Sequence, residues 1–355
     1  MQTASRSNLP LLPIVRARFI RGGKRPLFEQ AMAGIILSLC GVDDPAAHRL
    51  PPERELARTL GVSVITLKRA IRELEARALV RRQHGSGNYP VRRPGLEDLL
   101  WTVKPRRLAF YSEARFHAST LMRYDLLYYM QKILSRSGTD LVLVGDHDAN
   151  LSGATDGLFV CGRHDVPKSV KRPGLPIVFV GTYPGKPIHP SVQLDLEQVG
   201  REGANLFLKS GPGQVAFFGA GGAQREEGRR VRSGFRRALG NASSFFEAFG
   251  SPSAVYRAAR RWLALRKGKV FLFSAYYLCT GALIRACEAK GRPIGRDVEL
   301  VAFGTNNIVM QDMAPIRLLQ APREKMAEAS LELMLLQILG PKSPPRTIRL
   351  PVTLS

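Results

Sequence analysis

Apolar side chains in the first hundred residues recur every three or four positions, which is the spacing of one face of an α-helix. The pattern predicts a first helix from about Pro26 to Gly41. A second helix begins at Pro52, where the missing N–H of proline is tolerated. A third runs from Ser63, whose hydroxyl can cap it, to about Ala76. The chain therefore begins with a small helical unit.

A hairpin is predicted directly after the third helix. Residues 79–82 and 88–91 are two short runs that flank the sequence His84-Gly85-Ser86-Gly87. Glycines at such a tip are typical of a tight turn between two strands. The helices and this hairpin together predict a compact α+β module.

Beyond residue 108 the pattern changes to short apolar runs separated by amphipathic stretches. This alternation predicts parallel sheets with helices on both faces. About seven such units are too many for one small sheet, so we expect two lobes, with 196–209 as a crossing between them. The predicted strands are 108–111, 140–144, 157–161, 177–180, 214–218, 270–273 and 299–303, and the predicted helices are 121–135, 196–209, 225–239 and 280–290.

The protein is strongly basic. Its 53 lysines and arginines outnumber 29 aspartates and glutamates, which gives a formal net charge of +24. Such a field attracts polyanions, chiefly nucleic acid or an anionic membrane surface, although a basic composition can also serve solubility alone. The N-terminus lacks the apolar core of a signal peptide, and the longest uncharged run, 270–284, is shorter than the ~20 residues that span a bilayer. We therefore expect a nucleic-acid partner, no membrane partner and a cytoplasmic location.

The four cysteines are Cys40, Cys161, Cys279 and Cys287. None belongs to a C-x-x-C pair or stands near a histidine at metal-ligand spacing. We expect them to be small buried hydrophobic side chains in a reducing compartment. The sequence predicts no metal site and no cofactor.

Residues 50–90 carry the most specific motif. It comprises Leu50-Pro51-Pro52-Glu53-Arg54-Glu55-Leu56-Ala57, then Leu60-Gly61-Val62-Ser63, and finally Gln83-His84-Gly85-Ser86-Gly87. This stretch closely resembles the winged helix-turn-helix of GntR-type bacterial repressors. The resemblance implies that the third helix enters the major groove of DNA while the hairpin, or wing, approaches the duplex beside it. The residues expected to contact DNA are Arg54, Ser63, Thr66, Lys68, Arg69, His84, Gly85 and Ser86.

Each of these residues also has a purely structural interpretation. Ser63 can be only a helix cap, Arg54 can pair with a neighbouring glutamate, and His84 can be an ordinary turn residue. Lys68 and Arg69 can belong to a solvated charged face. In addition, Val64 stands where the family usually has an arginine, so the preferred DNA sequence can differ from that of the family.

A second resemblance covers most of the remaining chain. It rests on Asp156-Gly157-Leu158-Phe159-Val160, on 175–181, on 295–304 and on the closing Leu350-Pro351-Val352, which matches a final strand. These sequences resemble the effector-binding domain of LacI-type repressors, a two-lobed fold similar to periplasmic sugar-binding proteins. The resemblance implies a ligand between the lobes, at the carboxyl ends of the strands. The candidate ligand-binding residues are Ser112, Arg115, Thr182, Tyr183, Arg230, Arg232, Ser274, Tyr276 and Asn306.

Three departures weaken the expectation of an ordinary sugar ligand. Ser274 begins a sequence where the family commonly has Asn-Asp, Thr305-Asn306 replaces an expected aspartate, and Val231 replaces an expected arginine that has Arg230 and Arg232 as neighbours. The effector is therefore an unusual saccharide, a compound other than a sugar, or absent.

The predicted fold is an N-terminal winged helix-turn-helix followed by a two-lobed α/β domain of the periplasmic-binding-protein type with parallel sheets. A GntR-type reader joined to a LacI-type sensor is similar to the chimeric arrangement of an arabinose-responsive repressor. The expected domains are a flexible basic arm at 1–25, the DNA-binding domain at 26–91, a linker at 92–107 and the effector domain at 108–355.

These expectations describe a homodimeric transcriptional regulator, expected to be a repressor, that binds double-stranded operator DNA. Its DNA binding is expected to be controlled by a small ligand, expected to be a saccharide, in the cleft between the lobes. The alternative is a DNA-binding regulator with a non-sugar effector or none. A transport receptor is disfavoured by the DNA-reading module. An enzyme is not expected, because no catalytic motif such as G-x-S-x-G or a phosphate loop is present, and no catalytic residue is assigned.

Overall fold

The computed structural model describes most of the chain. The described residues are 9–17, 25–112, 120–145, 155–161, 165–168, 170–181, 188–220, 226–240, 245–304, 315–340 and 345–354. They form a helical head followed by two parallel sheets, which confirms the predicted fold class.

The head contains three helices and a hairpin, as predicted. The apolar stripes of the helices meet in one core, where Leu56, Leu67, Ile71 and Leu74 are fully buried. A left-handed Gly61, with φ of 73°, ends the second helix and turns the chain into the third. The head elements are α1 (Leu27–Cys40), α2 (Glu53–Leu60), α3 (Val64–Ala76), β1 (Val80–Gln83) and β2 (Gly87–Pro90).

Residues 9–17 pack against this head, although the segment 1–25 is predicted to be a flexible arm. Leu12 is 1% exposed, and its N–H donates to the carbonyl of Arg49 over 2.8 Å. The Val15 N–H donates to Ser38 Oγ over 2.8 Å. A composition rich in Arg and Pro did not reveal the single apolar anchor that holds the segment in place.

The segment 92–107, predicted as a linker, contains helix α4 (Leu96–Val103). Its apolar residues Leu96, Leu99, Leu100 and Val103 follow helical spacing, and Leu99 and Val103 are buried. The Asp98 carboxylate accepts the Gly95 N–H over 2.8 Å and so caps the first turn. The structure therefore joins the head to the rest of the molecule through a packed helix.

Two six-stranded sheets follow, one in each lobe. The order in the N-lobe is β13-β7-β6-β5-β3-β4, and the order in the C-lobe is β14-β12-β11-β10-β8-β9. All neighbouring strands are parallel except β12 and β14. The N-lobe strands are β3 (Arg107–Ser112), β4 (Asp140–Val144), β5 (Gly157–Cys161), β6 (Ile177–Val180), β7 (Ser191–Leu194) and β13 (Thr347–Leu350). The C-lobe strands are β8 (Gln214–Ala220), β9 (Phe246–Gly250), β10 (Val270–Ser274), β11 (Val298–Gly304), β12 (Arg317–Gln320) and β14 (Thr353–Leu354).

All seven predicted strands are present, and five further strands were missed. The sequence Leu350-Pro351-Val352, predicted as one final strand, instead separates β13 of the N-lobe from β14 of the C-lobe. A proline without an N–H cannot donate within a sheet, so the chain leaves one sheet there and enters the other.

Helices cover both sheets, and the chain passes between the lobes three times. It crosses before α6, again after β12, where α10 returns to the N-lobe, and finally between β13 and β14. The crossing predicted at 196–209 thus occurs at the start of that helix. The helices of the lobes are α5 (Thr120–Leu134), α6 (Leu196–Lys209), α7 (Glu226–Leu239), α8 (Pro252–Ala264), α9 (Tyr277–Glu288) and α10 (Arg323–Leu339).

One hydrophobic cluster runs from the head into both lobes. It joins Leu12 of the head, Leu99 of α4, Met334 of α10, Phe159 of the N-lobe sheet and Phe273 of the C-lobe sheet. Separate clusters cover the opposite face of each sheet. The head is therefore packed onto the lobes through a shared core rather than attached by a loop.

The four cysteines are all buried, which confirms their prediction as small core side chains. Within the described part of the chain, no helix combines the length and the apolar character needed to cross a membrane.

Candidate functional site

The start of α3 presents two hydroxyl groups beside the turn that follows α2. Ser63 is the N-cap, and its Oγ accepts the Thr66 N–H over 3.1 Å. The same Oγ lies 2.8 Å from Thr66 Oγ1. Because Ser63 is exposed, the cap leaves its hydroxyl at the surface. The structural role and the predicted DNA-contacting role of Ser63 are therefore compatible.

The basic residues on α3 are held by other parts of the head. Lys68 Nζ lies 4.0 Å from a carboxylate oxygen of Glu53. The Arg69 guanidinium stacks over the ring of Phe28 in α1, 3.8 Å from its centroid. Both side chains remain exposed. These contacts orient the two cations without removing them from the surface.

Arg54 projects from the first turn of α2 and is exposed. Within the described residues no hydrogen bond or ion pair to its side chain is found, so the alternative in which Arg54 pairs with Glu53 or Glu55 is not observed. Glu53 instead faces Arg82 of β1 at 3.7 Å and accepts from Asn88 Nδ2 at 3.4 Å. Glu53 thus ties α2 to the wing and leaves the Arg54 guanidinium available.

The wing is a two-stranded hairpin in which Gln83 pairs with Gly87. Gly85 and Gly87 have φ of 72° and 120°, a region that side chains disfavour, and neither has a neighbour where a Cβ would lie. His84 is exposed at this tip, whereas the Ser86 hydroxyl lies 2.6 Å from the Tyr89 hydroxyl. The tip is therefore open backbone that another molecule can approach closely.

A groove of about 790 Å³ separates the wing from the start of α2. Arginines, glycines and Glu53 are among the residues that line it. It lies between the wing and the start of α2, which both carry residues predicted to contact DNA. The lining residues are Arg49, Leu50, Pro51, Pro52, Glu53, Arg82, Gln83, His84, Gly85, Ser86, Gly87 and Asn88.

The sequence of this same region matches a known family. Residues 45–89 fit the profile described as bacterial regulatory proteins of the gntR family. Residues 45–89 form a GntR-type helix-turn-helix. They include α2, α3 and nearly all of the wing, so the family match and the exposed groups coincide on the GntR-type head.

Two curated relatives match a short part of this chain. The HTH-type transcriptional regulator SmoD of Agrobacterium fabrum is 35% identical over 68 residues, which are 19% of this chain and 29% of that protein. The histidine utilization repressor of Pseudomonas putida is 39% identical over 67 residues, 19% of this chain and 27% of that protein. The chain thus spans less than a third of the length of either relative.

Solved structures share the fold of the lobes. A LacI transcriptional regulator from Lactobacillus brevis covers 70% of this chain and all of its own, with a TM-score of 0.59 and 17% identity. The structure of the transcriptional regulator CelR in complex with cellobiose covers 93% of this chain and 98% of its own, with a TM-score of 0.58 and 20% identity. The Cra regulator of Pseudomonas putida in complex with fructose 1-phosphate covers 71% of this chain and 98% of its own, with a TM-score of 0.55 and 19% identity. At these low identities the structures show a shared fold only. The part of the chain that follows the GntR-type head therefore has a LacI-type fold.

The second site was predicted between the lobes, at the carboxyl ends of the strands. Of its candidates, Ser112 ends β3 and Ser274 ends β10, as expected. Arg115, Thr182, Tyr183 and Asn306 lie outside the described residues. The structure therefore places only part of this site.

Ser274 and Arg232 are engaged in contacts within the protein. Ser274 is fully buried, donates to the carbonyl of Tyr276 over 3.0 Å and accepts from Thr280 Oγ1 over 3.0 Å. Arg232 forms a two-pronged ion pair with Glu247, which raises the pKa of Arg232. Arg230 is half-buried on the same helix. The contacts of Ser274 fix the chain before α9, and the ion pair of Arg232 fixes one face of α7. Contact of these groups with a ligand stays a prediction.

Arg323 is a residue that sequence reasoning missed. It begins α10 at the second crossing between the lobes, and its side chain is 11% exposed. Nη1 donates to Asp125 Oδ2 over 2.5 Å, whereas Nε and Nη2 are buried without a partner among the described residues. Buried donors without acceptors are costly, so this guanidinium favours an acceptor that is not among the described residues. The sequence signal that could have identified Arg323 is its position just after a proline that follows the end of a strand.

Proposed function

We propose that the protein is a sequence-specific DNA-binding transcriptional regulator. The observation that carries the proposal is the exposed start of α3, where the hydroxyl groups of Ser63 and Thr66 lie at the surface of a GntR-type head that also has an open wing tip. Side chains in the first turns of a recognition helix reach base edges in the major groove. Arg54, which has no partner among the described residues, supplies a phosphate contact.

The test is a selection of genomic fragments by purified protein at a fixed, near-physiological salt concentration. Salt is fixed because a protein with a net charge of +24 binds any DNA when salt is low. Arg54→Ala and Thr66→Ala are compared with the wild type. The matched control is Arg260→Ala, which removes the same charge from an exposed position on α8 in the C-lobe.

Enrichment of one sequence by the wild type and the control, and its loss in both head variants, is the expected result. Thr66→Ala is expected to relax preference at one base position, because a base contact is worth about 1–3 kcal/mol of discrimination. Fragments retained without sequence preference by every variant would show a general polyanion binder and end the proposal.

We also propose that a small ligand binds between the lobes and changes affinity for DNA. The LacI-type fold supports this, and two structures that share it hold cellobiose and fructose 1-phosphate. The orphan donors of Arg323 favour a ligand that carries an acidic group. Control by a ligand requires different ligand affinities in the DNA-binding and non-binding states.

The effector is tested by measuring operator dissociation in the presence of neutral sugars and of their phosphorylated or carboxylated counterparts. An acidic compound that shifts the dissociation constant, and loses this effect in Arg323→Met, supports the assignment. A neutral sugar that acts equally in both proteins contradicts the role of Arg323. No shift with any compound favours a regulator with a non-sugar effector or none.

We further propose that the regulator is a homodimer. The edge strand β4 exposes Val142 and Leu143, and Tyr128 of the adjacent α5 is 62% exposed. Exposed apolar side chains on an edge strand favour pairing with a second copy. Sedimentation is expected to give a dimer that Leu143→Glu converts to monomer, while Leu265→Glu, at a more exposed leucine just after α8, leaves it intact. A monomeric wild type would rule the dimer out.

The named relatives support a binding role rather than catalysis, because they are regulators and a repressor. Repression is the direction favoured for this protein, and transcription measured from the selected operator with and without the protein distinguishes repression from activation.

A further inference from the structure

Arg16, which precedes the matched family region, lies against the turn of the helix-turn-helix. Its Nε donates to the carbonyl of Thr59, and its Nη2 donates to the carbonyl of Arg58 over 3.3 Å. The guanidinium also covers Gly61, where an added Cβ would lie 2.9 Å from Nη2. The N-terminal segment therefore delivers a cation to the point where α2 turns into α3.

This position is close to the DNA-reading end of α3. Gly61 is two residues before the cap Ser63, and two residues of extended chain span at most about 7 Å. Arg16 is exposed although its guanidinium is anchored. Two of its five N–H groups serve the carbonyls, so the others are free to meet an acceptor in solution.

Two further arginines continue a line from Arg16 along α2. Arg54 and Arg58 are four residues apart and so share one face of the helix, and both are exposed. Arg58, like Arg54, has no side-chain partner among the described residues. The line Arg16–Arg58–Arg54 extends from Arg54 to the end of α2, which is about 10 Å at 1.5 Å per helical residue.

The spacing and charge of this line suit one strand of a DNA backbone. Each strand carries one phosphate per about 3.4 Å of duplex axis, so the line covers roughly three phosphates. Arg16 donates to the carbonyl of Arg58, and neither side chain has a carboxylate partner among the described residues, so a polyanion can neutralise both cations. The end of a helix also favours cations, which accounts for Arg16 and for Arg58 in the last turn but not for the exposed Arg54 in the first turn.

We infer that Arg16 and Arg58 extend the phosphate contact of Arg54 into a track along α2, and that the segment 9–17 is part of the DNA-binding surface. This inference rests on the proposed DNA-binding function. It assigns no base contact to the track, so the track strengthens binding to all sequences and does not select among them.

The test measures affinity for the selected operator and for a mixed-sequence duplex by fluorescence anisotropy, between about 50 and 200 mM salt. The variants are Arg16→Gln, Arg58→Gln and the double variant, with Arg260→Gln on α8 as the control for loss of one exposed charge. Each track variant is expected to lower the slope of log K against log salt by about 0.9, and the double variant by about twice that. The ratio of operator to mixed-sequence affinity stays constant.

Arg16→Lys separates the structural role of Arg16 from phosphate contact. Lysine keeps the positive charge but cannot donate to both carbonyls in the same way. The slope of log K against log salt is therefore expected to stay as in the wild type, even if the thermal midpoint of unfolding falls. Should Arg16→Gln fail to fold, Arg58→Gln alone decides the matter, because the Arg58 side chain has no contact within the described head.

Two failures are distinguishable. A wild type without sequence preference contradicts the proposed function. A wild type that selects its operator, with salt slopes unchanged in Arg16→Gln and Arg58→Gln, contradicts the track alone and leaves these arginines as surface charges.

Discussion

Ser63 shows how one side chain serves stability and recognition together. Its Oγ accepts the Thr66 N–H, so Ser63→Ala is expected to lower the free energy of unfolding by about 1 kcal/mol. Ser63→Asp keeps a capping oxygen and the stability but places a negative charge where DNA approaches. We expect Ser63→Asp to bind operator more weakly than Ser63→Ala does. Thermal denaturation and anisotropy measure the two effects, and equal DNA affinity in both variants would remove Ser63 from the interface.

The cysteine thiols are expected to be chemically inert in the folded protein. Burial raises the pKa of Cys40, Cys279 and Cys287 to about 12. Near pH 8 these groups are therefore almost entirely protonated, and the thiolate is the reactive form. Labelling with an aromatic disulfide is expected to proceed only at the rate of local opening and to become fast in denaturant. Rapid labelling of the native protein at pH 8 would contradict the burial of these thiols.

At the scale of elements, α6 and α7 pack backbone to backbone through two glycines. A Cβ on Gly200 would lie 1.9 Å from the Val231 carbonyl oxygen, and one on Gly234 would lie 1.9 Å from that of Glu197. Gly234→Ala is therefore expected to force the helices apart and to destabilise the protein by about 3 kcal/mol or more.

Gly228→Ala is the matched control for that prediction, because it lies in the same helix α7 and has open space around it. An alanine in a helix is favoured over glycine by up to about 1 kcal/mol, so this variant is expected to be neutral or slightly stabilised. Urea denaturation compares the two, and similar stability of both alanine variants would disprove the close approach.

Helix α4 depends on one buried carboxylate. Asp98 is 5% exposed and accepts two bonds from Arg92, at 2.7 and 3.1 Å, besides the Gly95 N–H. Asp98→Ala leaves these donors unpaired, and we expect a loss of about 2 kcal/mol, limited by the partial exposure of Arg92. Glu97→Ala, one residue earlier and exposed, is expected to change stability by no more than about 0.5 kcal/mol. Chemical denaturation of the two variants measures the difference.

The sequence predicted elements where periodicity extends over several turns or where an apolar run is isolated. Helix α4 was missed because Arg92-Arg93-Pro94-Gly95 and Lys104-Pro105-Arg106-Arg107 dominate the composition of its surroundings. Strands β7 and β12 were missed because only two of the four residues in each are apolar, whereas all four residues of β6 are. In α3, Ile65 is 80% exposed and Leu67 is in the core, a difference that helical spacing alone does not decide.

The candidate sites were predictable to different degrees for a physical reason. The DNA-reading residues lie within one short stretch, so their order along the chain already sets their positions. Ligand-binding groups come from distant strand ends, and their convergence depends on tertiary packing. Arg16 and Arg323 illustrate this, because their significance lies in contacts 42 and 198 residues away along the chain.

At the scale of the whole molecule, the shared core predicts that the head and lobes unfold together. The two tryptophans report on this, since Trp101 lies in α4 and Trp262 lies in α8 of the C-lobe. Operator DNA at about 100 times its dissociation constant stabilises the folded state by about 2.7 kcal/mol. We expect the thermal midpoint of Trp262 fluorescence, isolated in Trp101→Phe, to rise with DNA. A midpoint that does not move would show that the head melts independently.

The burial of all four thiols has a practical consequence for following motion in this protein. Cysteines introduced at exposed positions, for example in place of His84 at the wing tip and Lys267 in the C-lobe, are reactive, whereas the native thiols are buried. Dyes attached at both positions report the separation of wing and C-lobe in individual molecules. Energy transfer between them would register directly whether an effector moves the DNA-reading head.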